Sequence, residues 1–297
     1  MIVVTGATGR TGRQVTEALL AKGENVRAVG RDAKKLTSLV QKGADPLVAD
    51  VADAQAMSIG FAGASAVYLV LPEDIAHSDL RGYQERVSDS YAAAISRAQV
   101  PFVVNLSSLG AQHSKGTGPI VGLHSQEVKL NQVGGLNVLH LHAAYFMENL
   151  FMSLAALRST GALPGGLLAD MRMPWIATQD IGAYAATRLA ACDFSGSSVQ
   201  ELQGQRDISM KEAASIVGNS IGKPDLEYVK LPSTILERAL LEMGLPGTTT
   251  KLILEMWDGA NAGLMTPQET RSPRNTTPTT LESFVERVFA PAYIRTL

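Results

Sequence analysis

Three glycines spaced three residues apart lie between the first apolar run of the chain and a segment of helical period. Residues 2–5 are rich in β-branched side chains, as expected for a buried strand, and Gly6, Gly9 and Gly12 follow directly. In such a strand-turn-helix unit, Gly6 allows the tight turn, Gly9 lets a pyrophosphate approach the backbone, and Gly12 permits close packing of the helix. Amide groups at a helix N-terminus attract phosphate charge. The turn therefore predicts a binding site for a nucleotide diphosphate.

The glycine spacing differs from the common dinucleotide fingerprint. That fingerprint reads G-x-G-x-x-G, whereas this turn reads G-x-x-G-x-x-G, so an ordinary glycine turn is the alternative interpretation. The other turn residues predicted to contact the cofactor are Thr8, Arg10 and Thr11. Arg10 supplies a second cation for a phosphate group.

The residue after the second predicted strand can distinguish NADPH from NADH. An acidic side chain there would bind the two ribose hydroxyls, whereas a basic one would accept a 2′-phosphate. The chain reads Gly30-Arg31-Asp32, and the planar guanidinium of Arg31 can form a charge-assisted contact to phosphate. NADP(H) is therefore predicted, while Asp32 keeps NAD(H) as the less favoured cofactor. The alternative for Arg31 is a solvated surface charge.

Two short segments follow the third and fourth predicted strands, at the edge where open α/β sheets bind ligands. Asp50 and Val51 can flank an adenine edge, and the alternative for Asp50 is a helix cap. Leu71 and Pro72 can form a wall beside the ribose, and the alternative is a strand-ending proline without a ligand contact. All four are predicted cofactor-binding residues.

Short apolar runs alternate with segments of helical period in the first half of the chain. The predicted strands are residues 2–5, 25–29, 46–49, 66–71, 102–106 and 137–142. The predicted helices are residues 12–22, 88–98, 120–129, 209–217, 232–242, 250–257 and 280–289. This alternation is typical of repeated strand-helix-strand units. We predict an α/β fold with a Rossmann-type, doubly wound parallel sheet.

The strand-helix alternation weakens after about residue 150, where glycine and proline mark a loop-rich segment. We expect residues 1–150 to form an NAD(P)-binding Rossmann domain. Residues 151–297 are expected to form a smaller α+β lobe that binds the substrate. Approximately residues 176–190 can pack back on the first domain, so this boundary is soft.

Composition and charge limit the classes of function. The chain has 26 basic and 28 acidic side chains among its 297 residues, a formal net charge of −2, so direct nucleic-acid binding is not expected. Its apolar runs are far shorter than the roughly 20 residues that cross a bilayer, and no basic signal segment precedes them. Cys192 is the lone cysteine, which excludes an internal disulfide. We expect a cytoplasmic protein without a metal site.

Several motifs resemble the short-chain dehydrogenase/reductase superfamily, and more narrowly its atypical NmrA-like branch. The glycine turn resembles the glycine-rich turn of the superfamily. The motif most similar to the NmrA-like branch is Phe146-Met147-Glu148-Asn149-Leu150. Further landmarks are Ser107-Ser108-Leu109-Gly110, His124, Glu127, Asp180-Ile181-Gly182 and residues 277–282. The branch includes NADPH:quinone reductases and redox-sensing transcriptional regulators. The resemblance implies a nicotinamide that faces the cleft between a dinucleotide-binding domain and a smaller C-terminal lobe.

The chain departs from the superfamily at its usual catalytic pair. The superfamily carries Tyr-x-x-x-Lys on the helix after the fifth strand, where the tyrosine donates a proton. Ile120 and His124 occupy the corresponding positions, so no phenol is available there. Carbonyl reduction of the ordinary alcohol dehydrogenase kind therefore lacks its proton donor.

The resemblance implies roles for residues near the nicotinamide. His124 would bind the nicotinamide ribose or donate a proton, and the alternative is a structural histidine. Ser107 and Ser108 would orient a substrate oxygen, and the alternative is capping of backbone groups at the strand end. Tyr145 and Phe146 would form an apolar wall, with packing between the lobes as the alternative. We predict His124 and Ser108 as catalytic, and all of these except Ser108 as cofactor contacts.

Two further features carry weaker signals. His140 and His142 alternate on the sixth predicted strand, where core or interlobe packing is favoured over a metal site. Residues 112–119 are polar and rich in glycine, which is typical of a mobile substrate loop or of a plain surface loop.

Two hypotheses of function follow. The first is an NADPH-dependent oxidoreductase that transfers hydride to a small planar electrophile, preferably a quinone, because a quinone becomes aromatic on reduction. The second is a non-catalytic NADP(H)-binding redox sensor that acts through protein contacts, which the missing catalytic pair favours. We expect a small-molecule substrate, no membrane partner, and a homodimer or a regulatory protein partner.

Overall fold

The computed structural model of this protein describes residues 1–295. The strands are β1 (Ile2–Val4), β2 (Val26–Gly30), β3 (Asp45–Val48), β4 (Ala66–Leu69), β5 (Phe102–Ser108), β6 (Asn137–Ala143), β7 (Tyr145–Phe146), β8 (Leu163–Gly165), β9 (Met173–Ile176), β10 (Ser197–Leu202), β11 (Asp207–Ile208) and β12 (Tyr228–Lys230).

Helices separate most of these strands. They are α1 (Arg10–Ala21), α2 (Ala33–Val40), α3 (Ala54–Phe61), α4 (Leu80–Ala98), α5 (Ile120–Asn131), α6 (Leu154–Thr160), α7 (Thr178–Ala191), α8 (Met210–Ser220), α9 (Ser233–Glu242), α10 (Gly247–Asn261), α11 (Leu281–Phe284) and α12 (Ala290–Arg295). A 3-10 helix, Met147–Ser153, precedes α6, and a π-helical turn, Val285–Phe289, joins α11 to α12.

Seven parallel strands form the central sheet in the order β3-β2-β1-β4-β5-β6-β10. The order reverses between β1 and β4, so the carboxyl ends of these strands open a crevice. Helices α1, α2 and α7 bury apolar side chains against one face, and α3, α4 and α5 do so against the other. The predicted Rossmann-type, doubly wound sheet is confirmed.

The predicted strands lie within two residues of the observed ones, but the helix predicted over 88–98 begins earlier. It starts at Leu80, because Asp79 accepts a hydrogen bond from the Gly82 amide at 2.9 Å and caps the first turn. The added turns bury Leu80 and Tyr83. The prediction had missed this capping aspartate.

A seventh strand, β10, was also missed by the sequence prediction. Its residues read Ser-Ser-Val-Gln-Glu-Leu, which lacks the apolar run expected of a buried strand. Glu201 is nevertheless buried because its carboxylate accepts backbone amides from residues 268 and 269. The guanidinium of Arg274 donates to Gln200 at 3.1 Å. Partners distant in sequence thus satisfy the polar side chains of this strand.

The chain after residue 150 builds a second core and also returns to the main sheet. Trp175, Ile208 and Phe289 are among the buried residues of the second core. Helix α7 packs on α1 so closely that a Cβ atom on Gly182 would lie 2.4 Å from the Gln14 Cβ. Together with β10, α7 therefore belongs spatially to the main sheet, and the division at residue 150 stays a prediction.

None of the helices within residues 1–295 combines the length and the apolar character that a membrane crossing requires.

Candidate functional site

The glycine turn leads from β1 into α1 with a close-packed backbone. Gly6 has a φ of +57°, and a Cβ atom there would lie 2.4 Å from Val70 Cγ1. A Cβ atom on Gly12 would lie 2.2 Å from the Gly6 carbonyl oxygen. Side chains at these two positions would therefore force the turn open. The Gly9 amide donates to the Gly6 carbonyl at 2.8 Å, which closes the turn.

The N-terminus of α1 is open to solvent at this turn. Gly9 is the N-cap residue. Among residues 1–295, no side chain caps the helix, and its first turn carries no acidic residue. Gly9 and Arg10 are both exposed, whereas the Thr11 side chain is buried beneath the turn. The first amide groups of α1 and the helix dipole thus face a region where an anion can approach.

Arg31 and Asp32 have different surroundings at the end of β2. The Asp32 carboxylate accepts the Lys34 amide at 2.8 Å and caps α2. The Arg31 side chain is 59% exposed, and its Nη1 lies 3.5 Å from an oxygen of Asp74. Asp32 is thereby committed to the helix, while the guanidinium of Arg31 forms an exposed, weak ion pair with Asp74.

A tyrosine that sequence reasoning missed lies beside Arg31. Tyr83 is buried, and its phenol oxygen has no hydrogen-bond partner among residues 1–295. Burial and the charge of Asp50 raise the pKa of Tyr83, and the charge of Arg31 acts in the opposite direction. The ring stacks on His77 with centroids 5.1 Å apart. Tyr83 is the fourth residue of α4. The sequence analysis missed it because it placed the start of this helix at residue 88.

The remaining predicted cofactor contacts in this part of the site follow β3 and β4 or belong to the glycine turn. Asp50 accepts the Ala52 amide at 2.9 Å, so it stabilises a turn, and Asp53 is the cap of α3. Val51 and Leu71 are buried. Leu71 and Pro72 lie beyond the end of β4, which stops at Leu69. The Thr8 methyl group packs 3.3 Å from where a Cβ atom on Gly30 would lie.

Ser107, Ser108 and His124 lie around the ends of β5 and α5. The Ser107 hydroxyl donates to the Glu127 carboxylate, and the Ser108 hydroxyl donates to the Leu109 carbonyl at 2.9 Å. Nδ1 of His124 lies 2.8 Å from the Ala111 carbonyl oxygen. Since a carbonyl only accepts, Nδ1 carries the proton, and Nε2 of the neutral ring is left as an acceptor.

Helix α5 carries both Ile120 and His124, the residues at the tyrosine and lysine positions of the superfamily's usual pair. Ile120 is buried at the tyrosine position. Lys129 of the same helix bonds Glu85 at 2.7 Å and Asp89 at 2.5 Å, and its side chain is 24% exposed. These two carboxylates belong to α4, so the ammonium group stabilises the contact between α4 and α5.

Tyr145 and Phe146 form β7 at the junction with the second core. The Tyr145 ring meets Trp175 edge to face with centroids 4.7 Å apart. Burial raises the pKa of Tyr145 to about 12, and a hydrogen bond with Asn149 and the charge of Arg10 partly offset this rise. Arg10 itself donates to Asn149 at 3.2 Å, which links the glycine turn to the segment after β7. Phe146 packs against the main core.

A family model, two related enzymes and a solved structure of one of them are similar to this chain. The model of the NmrA-like family matches residues 1–284. The chain belongs to the NmrA-like family. The resemblance inferred from the sequence is therefore confirmed.

Relatives of this NmrA-like protein include two enzymes at low identity. The NAD(P)H azoreductase of Xenophilus azovorans is 25% identical over 261 residues, which cover 86% of each chain. Quinone oxidoreductase 2 of Escherichia coli is 26% identical over 268 residues, which cover 89% of each chain. The solved structure of the Escherichia coli NADPH-dependent quinone oxidoreductase in complex with NADPH has a TM-score of 0.81 and 24% identity, and covers 97% of this chain and 100% of its own.

Two landmarks of the NmrA-like protein connect segments far apart in the chain. Glu148 accepts hydrogen bonds from the Thr178 amide at 3.0 Å and hydroxyl at 2.6 Å, at the N-terminus of α7. Asp180 accepts the Thr279 amide at 3.0 Å and hydroxyl at 2.7 Å. A carboxylate at a helix N-terminus is favoured by the helix dipole. These landmarks hold α7 between the segment after β7 and the one before α11.

Two adjoining cavities lie between the loop 112–118 and α10. Their volumes are about 510 and 580 Å³, and both are lined by Gly116, Glu255 and Leu264. Glu255 accepts the Gly116 amide at 2.9 Å and so holds this loop against α10. Within residues 1–295, no group of three or more metal-ligating side chains is present.

Proposed function

We propose that this protein is an NADPH-dependent reductase that transfers hydride to a small planar electrophile, with a quinone as the preferred acceptor. The observation that carries the proposal is the uncapped N-terminus of α1 at a glycine turn too tight for side chains, with the exposed guanidinium of Arg31 at the end of the neighbouring strand. This arrangement offers separate sites for a pyrophosphate and for a further phosphate group.

The residues of this crevice fit NADP(H). The cradle formed by Gly6 and Gly12 would be filled by any Cβ atom. The phenol oxygen of Tyr83 is buried close to the charge of Arg31 and has no hydrogen-bond partner within residues 1–295. The related quinone oxidoreductase was solved with NADPH, and the related azoreductase is named for NAD(P)H, which supports the same cofactor here. NAD(H) is less favoured because Asp32 caps α2.

The remaining predicted residues have roles in substrate and nicotinamide binding under this proposal. His124 and Ser108 lie near the strand end where the reaction would occur, and the Nε2 atom of His124 can accept a hydrogen bond from ribose. Tyr145 and Phe146 supply the apolar wall. When bound, the reduced nicotinamide supplies a hydride. We also propose that residues 151–297 form the substrate-binding lobe.

The absence of a phenol at position 120 favours acceptors that need little acid assistance. A quinone gains aromatic stabilisation when it takes up two electrons, so its anion is a weak base compared with an alkoxide. An ordinary ketone would need a stronger proton donor in the transition state. The names of the two relatives, an azoreductase and a quinone oxidoreductase, agree with such acceptors.

Steady-state oxidation of NADPH with a panel of quinones and azo compounds tests this proposal. We expect turnover with the unmodified protein and a loss of at least about tenfold in NADPH affinity for Gly9→Asp, because a carboxylate would face the pyrophosphate. Gly134→Asp is the matched control, since Gly134 precedes β6 at the opposite edge of the sheet, with open space around it. Equal NADPH affinities of the parent protein and the Gly9→Asp variant would contradict the proposal.

The second candidate is a redox sensor that binds NADP(H) without turnover and acts on a regulatory protein partner. The buried Ile120 in place of a catalytic tyrosine favours it. Tight NADPH binding without acceleration of its oxidation by any acceptor in the panel would support the sensor over the reductase. A homodimer and a cytoplasmic location remain part of the proposal.

A further inference from the structure

A buried polar network lies beneath the carboxyl edge of β5 and β6, on the face covered by α4 and α5. Register pairs Asn105 with His140 and Ser107 with His142, so these four side chains share one face of the sheet. Glu127 reaches this face from α5. The function proposed above gives no role to Ser107, Glu127 or His142.

Glu127 joins Ser107 and His142 through a single carboxylate oxygen. Oε1 of Glu127 accepts the Ser107 hydroxyl and lies 2.9 Å from Nε2 of His142. Ser107, Glu127 and His142 are 3%, 8% and 5% exposed, respectively. Burial acts to raise the pKa of Glu127, but the hydrogen bond and charge of His142, with smaller contributions from His140 and Ser107, hold it below its ordinary value. A buried carboxylate is thus kept ionised next to an imidazole.

The other titratable side chains near Ser107, Glu127 and His142 are either neutral or hydrogen-bonded to other groups. Burial lowers the pKa of His140 to about 4, so its ring is neutral at physiological pH. Glu201 of β10 pairs in register with His142, but its oxygens accept two backbone amides from the 268–269 segment. Glu85 of α4 is bound by Lys129 and Ser125.

On α5 itself, His124 lies one turn before Glu127, and its Nδ1 atom is bonded to the Ala111 carbonyl. His142 is therefore the group positioned to exchange a proton with Glu127. A buried carboxylate-imidazole pair carries a desolvation cost that an apolar pair of similar volume would avoid. The Glu127–His142 pair contacts Ser107, which is the penultimate residue of β5. The pair therefore lies at the sheet edge where the acceptor would bind.

We propose that Ser107, Glu127 and His142 form a proton relay that takes the place of the missing tyrosine. This inference rests on the proposed hydride transfer. The acceptor takes two electrons and a hydrogen as hydride from NADPH, which leaves NADP⁺ and an acceptor anion. The O–H bond of Ser107 then breaks and its proton bonds to the anion. Glu127 passes a proton from the imidazolium of His142 to the serine oxygen, and the neutral imidazole regains a proton from solvent.

Two acceptors that differ in their need for a proton separate the relay from a structural role. A quinone needs one proton after it has received a hydride. A cationic triarylmethyl dye needs none, because hydride addition to its central carbon gives a neutral product. We expect Glu127→Gln to slow quinone reduction at least about tenfold while dye reduction changes less than about twofold. The expected effect on quinone reduction can fall below the roughly 100- to 10,000-fold that is typical of general acids, because a quinone needs little acid assistance.

His140→Gln is the matched control for this experiment. His140 lies two residues before His142 on the same strand and face, and it bonds Asn105 and Asn131 instead of Glu127 or Ser107. We expect this variant to affect both acceptors equally. Equal effects of Glu127→Gln on quinone and dye, or no effect on either, would overturn the relay. A parent protein that oxidises NADPH with neither acceptor would contradict the proposed function.

A titration of the Glu127 carboxyl carbon by NMR, without cofactor, tests the same unit independently of activity. We expect His142→Gln to raise the pKa of Glu127 by about one unit or more, because burial would no longer be opposed by the imidazole. His140→Gln should raise it less. This measurement also covers the case in which Glu127→Gln fails to fold. An unchanged pKa of Glu127 in His142→Gln would overturn the relay even in a protein that reduces quinones.

Discussion

Arg31 and Asp32 are neighbours of opposite charge, and their different local contacts give them different roles. The sequence leaves both side chains as candidates for the ribose end of the cofactor. Asp32 caps α2 through the Lys34 amide, whereas the guanidinium of Arg31 extends toward solvent beside Asp74. To contact a ribose, the Asp32 carboxylate would have to lose its hydrogen bond from the Lys34 amide. Arg31 is therefore better placed than Asp32 to determine cofactor preference.

At this scale, Arg31→Ala tests the preference for NADPH. We expect the variant to lose about 1 to 3 kcal/mol of NADPH binding free energy, the range for charge-assisted contacts, and to bind NADH as the parent does. Fluorescence titration with both cofactors measures the two affinities. Lys35→Ala, which removes an exposed positive charge nearby on α2, is the control and should change both affinities little. Equal NADPH and NADH affinities in the parent would contradict the assignment.

At the scale of elements, the contact between α1 and α7 ties the glycine turn to the second half of the chain. Gly182 allows this contact, since a Cβ atom there would lie 2.4 Å from the Gln14 Cβ and 2.8 Å from its carbonyl carbon. Glu148 fixes the N-terminus of α7, and Asp180 fixes the segment before α11. The position of α1 therefore depends on residues that lie far from the glycine turn in sequence.

Gly182→Ala should destabilise the protein because the two helices would have to separate. We expect a loss of about 1 to 3 kcal/mol in the free energy of unfolding, as for other overpacked contacts. Urea denaturation followed by circular dichroism measures it. The control is Gly134→Ala, where no atom of residues 1–295 other than its chain neighbours lies within 4 Å of the new Cβ atom and φ is not positive. A Gly182→Ala variant as stable as this control would show that the helices can shift without cost.

At the scale of the whole molecule, the buried polar network gives the stability of the fold a dependence on pH. His140 is buried against β5 and α5, with hydrogen bonds from Asn105 at 3.0 Å and to Asn131 at 2.9 Å. Its pKa is lowered by burial from 6.5 to about 4. The unfolded chain therefore binds a proton at this residue at a higher pH than the folded protein does, so acidification favours unfolding.

We expect His140 to contribute a loss of stability on the order of 2 kcal/mol as the pH falls from 6.5 toward 4, the interval between its unfolded and folded pKa values. His140→Gln should remove this part of the pH dependence, whatever its effect on stability at neutral pH. Urea unfolding at several pH values measures the slope for parent and variant. Parallel curves for the two proteins across this interval would contradict the prediction.

The sequence by itself determined the features that depend on neighbouring residues. Strand-helix alternation predicted the central sheet, and the spacing of Gly6, Gly9 and Gly12 predicted the turn, because backbone conformation and hydrophobic period are local properties. The glycine turn and the landmarks, with Phe146–Leu150 as the best pointer to the branch, together indicated the family that residues 1–284 match.

Only the tertiary structure decided which polar groups meet. Glu127 and His142 are distant in sequence from Ser107, yet strand register and helix packing bring them to one buried point. The polar side chains of Gln200 and Glu201 in β10 can be buried because segment 268–275 supplies their hydrogen-bond partners. The local sequence pattern does not indicate those partners. The cost of burying a polar group depends on whether it is hydrogen-bonded, and that is decided by contacts between distant parts of the chain.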